Sequence, residues 1–333
     1  MVPNSHYLER QDSRLSTPVY YGRREALTDV GDFFVPPWQP GVVVMLTESG
    51  PRALVNVCRH RQAIILTGRG NISGIRCPMH GWAWDLDGRC TGHPGFEDGK
   101  DLLTLPLQEK GGWMYAPDGD FGRALEKNSH LMLSGFVPIE RNAYDYDCSW
   151  MEILEVFLEN HHVPFVHPGL QSWLDCPRLE AELGDGWSVH TVPFKDAGKK
   201  TGLTGTWWKI FTESAPESIG GAVHWSHIFP NIFIENYDGC FLATVVMVPN
   251  GEGATSHEEV WVRRDLAGNS RLVKAFLEMF KEVECEDETL IMGSRKGREA
   301  MRSLGLEDAG PYQDPTEKCM EHFHKWLSSE DTG

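Results

Sequence analysis

The apolar positions along this chain change rhythm near its middle. From residue 41 to 116 they come in short runs, "VVVML", "ALVNV", "GIRCP", "WAWDLDG" and "GWMYAP", broken by Gly, Pro or Asp. Short runs bounded by turn residues predict strands, and together they predict a small β domain. Residues 1–40 are polar with two Pro-containing breaks and predict a separate N-terminal segment. Residues 117–135 predict a connector with a single helical turn.

From residue 136 the rhythm differs. "SWMEILEVFLENHH" has apolar residues at 151, 153, 154, 157 and 158, close to helical spacing, and Pro164 stops the helix or forces a turn. Strand-like segments follow: "WSVHTVPF", "GLTGTWWKIF", "AVHWSHIFPNIFIENY", "CFLATVVMVPN" and "TSHEEVWVRRDL". A long helical pattern, "SRLVKAFLEMFKEVECEDETLIMGSRKGREAM", precedes a polar tail. The fold class is therefore α+β, with an antiparallel sheet flanked by helices in the second half. Two domains, 41–135 and 136–333, suit a chain of 333 residues.

Composition narrows the function classes. Apolar residues make up 41% and charged residues 24%, as in ordinary globular proteins. No apolar run is long enough to span a membrane, and the polar N-terminus lacks a signal-peptide core, which makes the cytoplasm the expected location. A net charge of −17 repels a phosphate backbone and argues against nucleic acid. It suits solubility, a basic electron-transfer partner or a cationic substrate. Of eight cysteines, only Cys58 and Cys77 lie beside histidines at metal-ligand spacing; the others read as buried thiols.

Those two begin the chemistry. Cys58-x-His60 and Cys77-x-x-His80 have 16 residues between the pairs. Two thiolates and two imidazoles suit a closed structural zinc site or a [2Fe–2S] cluster with Cys on one iron and His on the other. Spacing leaves both open. The strand-rich setting favours the cluster, because zinc fingers keep their histidines together on a helix. A second constellation is "LENHHVPFVHPGL". Glu159 and His162 share a helix face at i, i+3, and His167 follows five residues later. Two histidines with a distant carboxylate form the facial triad of non-haem Fe(II) oxygenases, which leaves positions open for O₂ and substrate. The acidic run "EVECEDETLIMG" offers Glu282, Glu284, Glu286, Asp287 and Glu288, most of which read as a solvated helix face.

Both stretches, in this order, resemble the α subunits of Rieske non-haem iron oxygenases. "CRHR…CPMHGWAWDLDG" is similar to the Rieske signature, and the resemblance covers roughly residues 40 to 300. It implies a Rieske domain followed by a helix-grip-like catalytic domain. It implies that Cys58 and Cys77 hold one iron of the cluster and His60 and His80 the other. His162, His167 and Asp287 are the implied ligands of the mononuclear iron, with Glu284 the second choice for the carboxylate. His161 falls where the family often has Tyr. Glu159 is implied to join His162 to His80 of a neighbouring copy within a homotrimer. Glu at that position is found in relatives acting on quaternary ammonium compounds. Gln62 departs from the family's usual Gly. NAD(P)H electrons are expected through a separate reductase or ferredoxin, since no G-x-G-x-x-G opens a βαβ pattern here. The expected activity is hydroxylation or oxidative demethylation of a small organic substrate. The rivals are cis-dihydroxylation of an aromatic ring and a Rieske electron carrier without oxygenase activity. Trp207, Trp208, Phe211, Trp225, Phe229, Phe233 and Tyr237 are pocket candidates, most of them expected in the core.

Overall fold

A computed structural model describes residues 20–117, 119–195, 206–214, 221–306 and 310–329. The described residues form two compact units that divide between Gly135 and Phe136.

The first unit is built from short strands. A five-stranded sheet, in the order β5-β2-β3-β4-β9, contains β2 (Asp32–Phe34), β3 (Val42–Thr47), β4 (Gly50–Val55), β5 (Arg69–Asn71) and β9 (Thr104–Leu105). Two three-stranded sheets complete it. One joins β1 (Tyr20–Arg23), β11 (Trp113–Tyr115) and β10 (Gln108–Lys110); the other joins β6 (Ile75–Arg76), β7 (Ala83–Trp84) and β8 (Cys90–Gly92). The continuous apolar run of β3 reflects burial on both faces. Its Val43 and Met45 pack beside Cys58, Cys77 and Trp84, while Val42, Val44 and Leu46 pack with Tyr21, Phe34 and Met114.

The N-terminal stretch is therefore not a separate segment as far as it is described. From Tyr20 it supplies two strands and the buried Tyr20, Tyr21, Phe33 and Phe34. Short strands whose partners lie far along the chain leave little local periodicity, so composition alone set them apart. The connector holds α1 (Asp120–Lys127), two turns rather than one, with Phe121, Ala124 and Leu125 buried at i, i+3, i+4.

The second unit is one antiparallel sheet of seven strands, in the order β12-β18-β17-β16-β15-β14-β13. The strands are β12 (Phe136–Tyr146), β13 (Glu180–Gly184), β14 (Trp187–Pro193), β15 (Ala222–Ile228), β16 (Ile232–Tyr237), β17 (Phe241–Asn250) and β18 (Gly253–Arg263). One face carries Trp225, Phe233, Tyr237, Ala243, Val245 and Val260 into a single core with α2 (Trp150–Leu158), α6 (Ser270–Ser303) and α7 (Lys318–Ser329). The α+β class holds, with a long C-terminal helix against the sheet.

Two expectations need correction. The segment around "TWWKIF" is a helix, α5 (Thr206–Ser214), not a strand. Trp207, Ile210 and Phe211 are spaced i, i+3, i+4, and Phe211 packs against Trp173, Phe241 and Phe276. Its aromatic content suggested a strand, but the period is helical. The polar tail also contains a helix, α7. Cys319, Phe323 and Leu327 are buried at i, i+4, i+8, with Met320 and Trp326 partly buried beside them.

Candidate metal centres

In the first unit, two loops of the same design hold the Cys–His pairs. Cys58 N–H donates to Ala63 O at 2.8 Å and Gln62 N–H to Cys58 O at 3.0 Å. Cys77 N–H donates to Trp82 O at 2.8 Å and Gly81 N–H to Cys77 O at 3.1 Å. Each loop reverses through a left-handed residue, Gln62 at φ 58° and Gly81 at φ 76°. Gln62 thus adopts a conformation that Gly accepts at lower cost.

The loops bring their side chains together. The His60 and His80 ring centroids lie 4.8 Å apart, and Trp82 stacks on His60 at 5.6 Å and 5°. Cys58 and Cys77 are buried free thiols. Burial pushes the Cys58 thiol up, and the amides of His60 and Arg61 pull against that rise. Burial, then the charges of His80 and Arg61, lower the His60 imidazole. His60 Nδ1 is buried with no hydrogen-bond partner among the described residues. Two thiols, two imidazoles and an orphaned ring nitrogen fit a cluster that takes two sulfur and two nitrogen ligands.

In the second unit, α2 leads into the site. Its first turn is closed by a capping box: Met151 N–H donates to Ser149 Oγ at 3.3 Å and Ser149 N–H to Glu152 Oε2 at 3.0 Å. The helix ends where Glu159 turns extended. Two proline-started helices follow, α3 (Val163–Val166) and α4 (Pro168–Trp173). His162 and His167 are their N-terminal flanking residues. Pro168 drives His167 out of the helical region, which swings its ring back toward His162. Neighbouring Asn160 anchors the turn: its N–H donates to Thr316 O at 2.9 Å, and its amide lies 2.6 Å from His190 Nδ1.

The third group comes from the middle of α6. Asp287 Oδ1 lies 3.0 Å from His167 Nε2 and 3.4 Å from His162 Nε2, and the two Nε2 atoms are 3.1 Å apart. These three residues form one group able to hold a metal ion. A carboxylate backs each imidazole: His162 Nδ1 lies 2.8 Å from Glu159 Oε2, and His167 Nδ1 lies 2.7 Å from Glu286 Oε2. With both Nδ1 atoms donating, both Nε2 lone pairs face Asp287, and three acceptors around one point call for a cation.

The electrostatics favour positive charge at this point, a proton on His162 in the absence of a metal ion. Burial lowers His162, but hydrogen bonds with Asp287 and Glu159 outweigh it and raise this histidine to about 9. Burial would push Asp287 up, yet its contacts with His162 and His167 hold it below the usual carboxylate range. Of the other candidates, His161 is exposed and takes no part in the triad. Glu284 hydrogen-bonds Tyr144 Oη at 3.3 Å instead. The support of His167 by Glu286 was not legible in sequence, where Glu286 read as part of a solvated face. Its position beside Asp287 was the one signal available. Phe211 is core, Trp225 and Tyr237 both donate to Glu235, and the side chain of Trp208 lies outside the described residues.

Comparison with known proteins joins the two centres. Residues 31–106 match the Rieske [2Fe-2S] domain, and residues 133–330 match the ring hydroxylating alpha subunit, catalytic domain. Putrescine 2-hydroxylase of Ralstonia nicotianae is 33% identical over 322 residues, covering 93% of this chain and 87% of that protein. The chloroplastic choline monooxygenase of Beta vulgaris is 25% identical, covering 83% of this chain and 62% of the other. In fold, a quaternary ammonium Rieske monooxygenase superposes with a TM-score of 0.77 at 17% identity, covering 98% and 94% of the two chains. Naphthalene 1,2-dioxygenase from a Rhodococcus species gives 0.66 at 18% identity, covering 94% and 88%. No described helix is long and apolar enough to cross a membrane. With a [2Fe–2S] domain leading into a non-haem iron domain, this chain belongs to the Rieske non-haem iron oxygenases, O₂-dependent oxidoreductases that draw electrons from a separate reductase.

Proposed function

We propose that the chain hydroxylates a small, positively charged aliphatic amine, with Cys58, His60, Cys77 and His80 holding the cluster and His162, His167 and Asp287 holding Fe(II). The convergence of His162, His167 and Asp287 within 4.8 Å carries this reading. Three protein ligands leave room for O₂ and substrate on one side. When bound, the iron activates O₂ and the cluster supplies electrons one at a time. Overall, a C–H bond, O₂, two electrons and two protons give an alcohol and water. Within the chain, Glu159 and Glu286 fix the tautomer and orientation of the two imidazoles, and the core of α2, α6 and the sheet excludes water. The names of the relatives that act on putrescine and choline support a cationic amine, and so does the net charge of −17.

Glu159 has a second task in this reading, as the link to His80 of another copy. His80 is exposed, as are the nearby Met79 at 56% and Phe96 at 45%. Beside the iron ligands, Phe165 is 78% exposed. Apolar surface beside each of the two sites suits a head-to-tail contact, which forms a ring where the rotation closes, here a homotrimer. The absence of disulfides among the eight cysteines supports a reducing compartment such as the cytoplasm.

The test is turnover of the reconstituted holoenzyme with a Rieske reductase, NADH and O₂ over a panel of amines and aromatic hydrocarbons. The expected result is one oxygen atom added to an amine. A dihydrodiol from an aromatic ring, with amines inert, overturns the proposal. About three iron atoms per chain are expected, against two for an electron carrier.

A further inference from the structure

Strand register places two glutamates on the inward face of the seven-stranded sheet. Glu235 pairs with Trp225 on one side and Ala243 on the other, and Ala243 pairs with Val260. Glu258 lies two residues from Val260 and pairs with Val245 and Asn142. Cross-strand partners and alternate residues share a face, so both carboxyl groups point with Trp225, Val245 and Val260 into the core under α6. Helix α6 brings Glu284 to the same place, where it meets the hydroxyl of Tyr144. Glu284 and Asp287 are three residues apart, about 4.5 Å along the helix axis. The three glutamates therefore lie about one turn of α6 from the iron triad.

Their hydrogen bonding is incomplete. Glu258 is 4% exposed and meets Glu284 carboxyl to carboxyl, a contact that is a hydrogen bond only if one of them holds a proton; no donor from any other described residue reaches Glu258 Oε2 or the buried Oε1 of Glu284. Among the described residues, no ion pair involves Glu235, Glu258 or Glu284. Nearby cations are committed elsewhere, Lys281 to Glu140 at 3.0 Å and Arg141 to Glu259 at 2.8 Å. Buried carboxyl groups without a cation are costly and call for an explanation. Burial, and then Glu284, push Glu258 well above the carboxylate range. Burial raises Glu235 to about 7, although Tyr237 and Trp225 donate to it at 2.7 and 3.2 Å.

We propose that Glu258, Glu284 and Glu235 bind the primary ammonium group of an aliphatic amine whose carbon chain reaches toward His162, His167 and Asp287. The inference rests on the amine-directed reading above and sharpens it. A primary ammonium offers three N–H donors, enough for the two orphaned oxygens and Glu235. A quaternary ammonium has no N–H and is recognised by aromatic faces instead, leaving those oxygens as unsatisfied as before. Trp225 and Tyr237 turn their polar hydrogens to Glu235, so here the aromatic residues orient a carboxylate.

The experiment is calorimetric titration of the anaerobic holoenzyme with 1,4-diaminobutane, choline and 1,4-butanediol, repeated on Glu258→Gln and Glu284→Gln. Iron content and cluster absorption verify that each variant is loaded. The diamine should bind at least about tenfold tighter than choline and about a hundredfold tighter than the diol. Each variant should weaken diamine binding at least about tenfold. Choline binding as tight as the diamine overturns the inference on the wild-type protein alone. Undiminished diamine binding by both loaded variants also overturns it. If neither the diamine nor choline binds, the amine-directed reading itself fails.

Discussion

His167 and Glu286 meet across 119 residues of sequence, with Nδ1 and Oε2 2.7 Å apart. The contact fixes which ring nitrogen carries the proton and turns Nε2 toward Asp287. Glu286→Ala should weaken retention of the mononuclear iron about 10–100-fold, the usual effect of losing such a partner. Iron assay after dialysis against a mild chelator, with cluster absorption as internal standard, reads the outcome. Unchanged iron retention would show that Glu286 does not orient the ligand.

Glu159 accepts from both the backbone N–H and Nδ1 of His162, at 3.0 and 2.8 Å. Glu159→Ala should therefore weaken iron binding about 10–100-fold and, with iron kept saturating, still abolish coupled turnover. Product formation per electron, measured at saturating Fe(II), separates the two effects. Normal coupling under that condition sinks the proposed link to His80 of another copy.

His227 is fully buried, with Nε2 2.8 Å from the Pro230 carbonyl and its ring edge-on to Phe323. Burial lowers it from 6.5 to about 3, with the Pro230 contact opposing. Between those values the unfolded chain takes up a proton that the folded chain refuses. Stability from this residue is whole above pH 6.5 and lost as pH falls toward 3, at about 1.4 kcal/mol per pH unit. Urea titrations at pH 7 and pH 5 should show a smaller loss for His227→Gln than for the wild type. An equal loss would place the acid sensitivity elsewhere.

Gln62→Gly should stabilise the first unit by about 0.5–1 kcal/mol. The left-handed strain at φ 58° is removed, and part of the gain is returned as glycine's greater entropy in the unfolded chain. Thermal bleaching of the cluster's visible absorption is the readout, and a lower midpoint would show that the Gln62 side chain has a stabilising contact of its own.

Much of this was legible in the sequence, because several of the proposed ligands and their supports come in local pairs. Cys58 and His60, Cys77 and His80, and Glu159 and His162 lie within a few residues of one another, and proline marks where the chain must turn. Asp287 was chosen by resemblance from an acidic run, and the structure brings it, not Glu284, to the histidines. What stayed hidden depended on long-range pairing. Tyr21 and Phe34 looked like part of a loose leader because their partners, such as Val44 and Met114, come later in the chain. In "TSHEEVWV" alternation alone does not say which of the two adjacent glutamates, Glu258 or Glu259, faces in. Register against Val245 decides it.

The two loops with matching hydrogen bonds, 58–63 and 77–82, each supply one thiol and one imidazole. With the proposed ligands, each loop therefore grips both irons of the cluster, and neither iron belongs to a single loop. Unfastening either loop opens both coordination spheres at once. Loss of the cluster should then be all-or-none, with no half-released intermediate in which one loop has let go and one iron remains fully held.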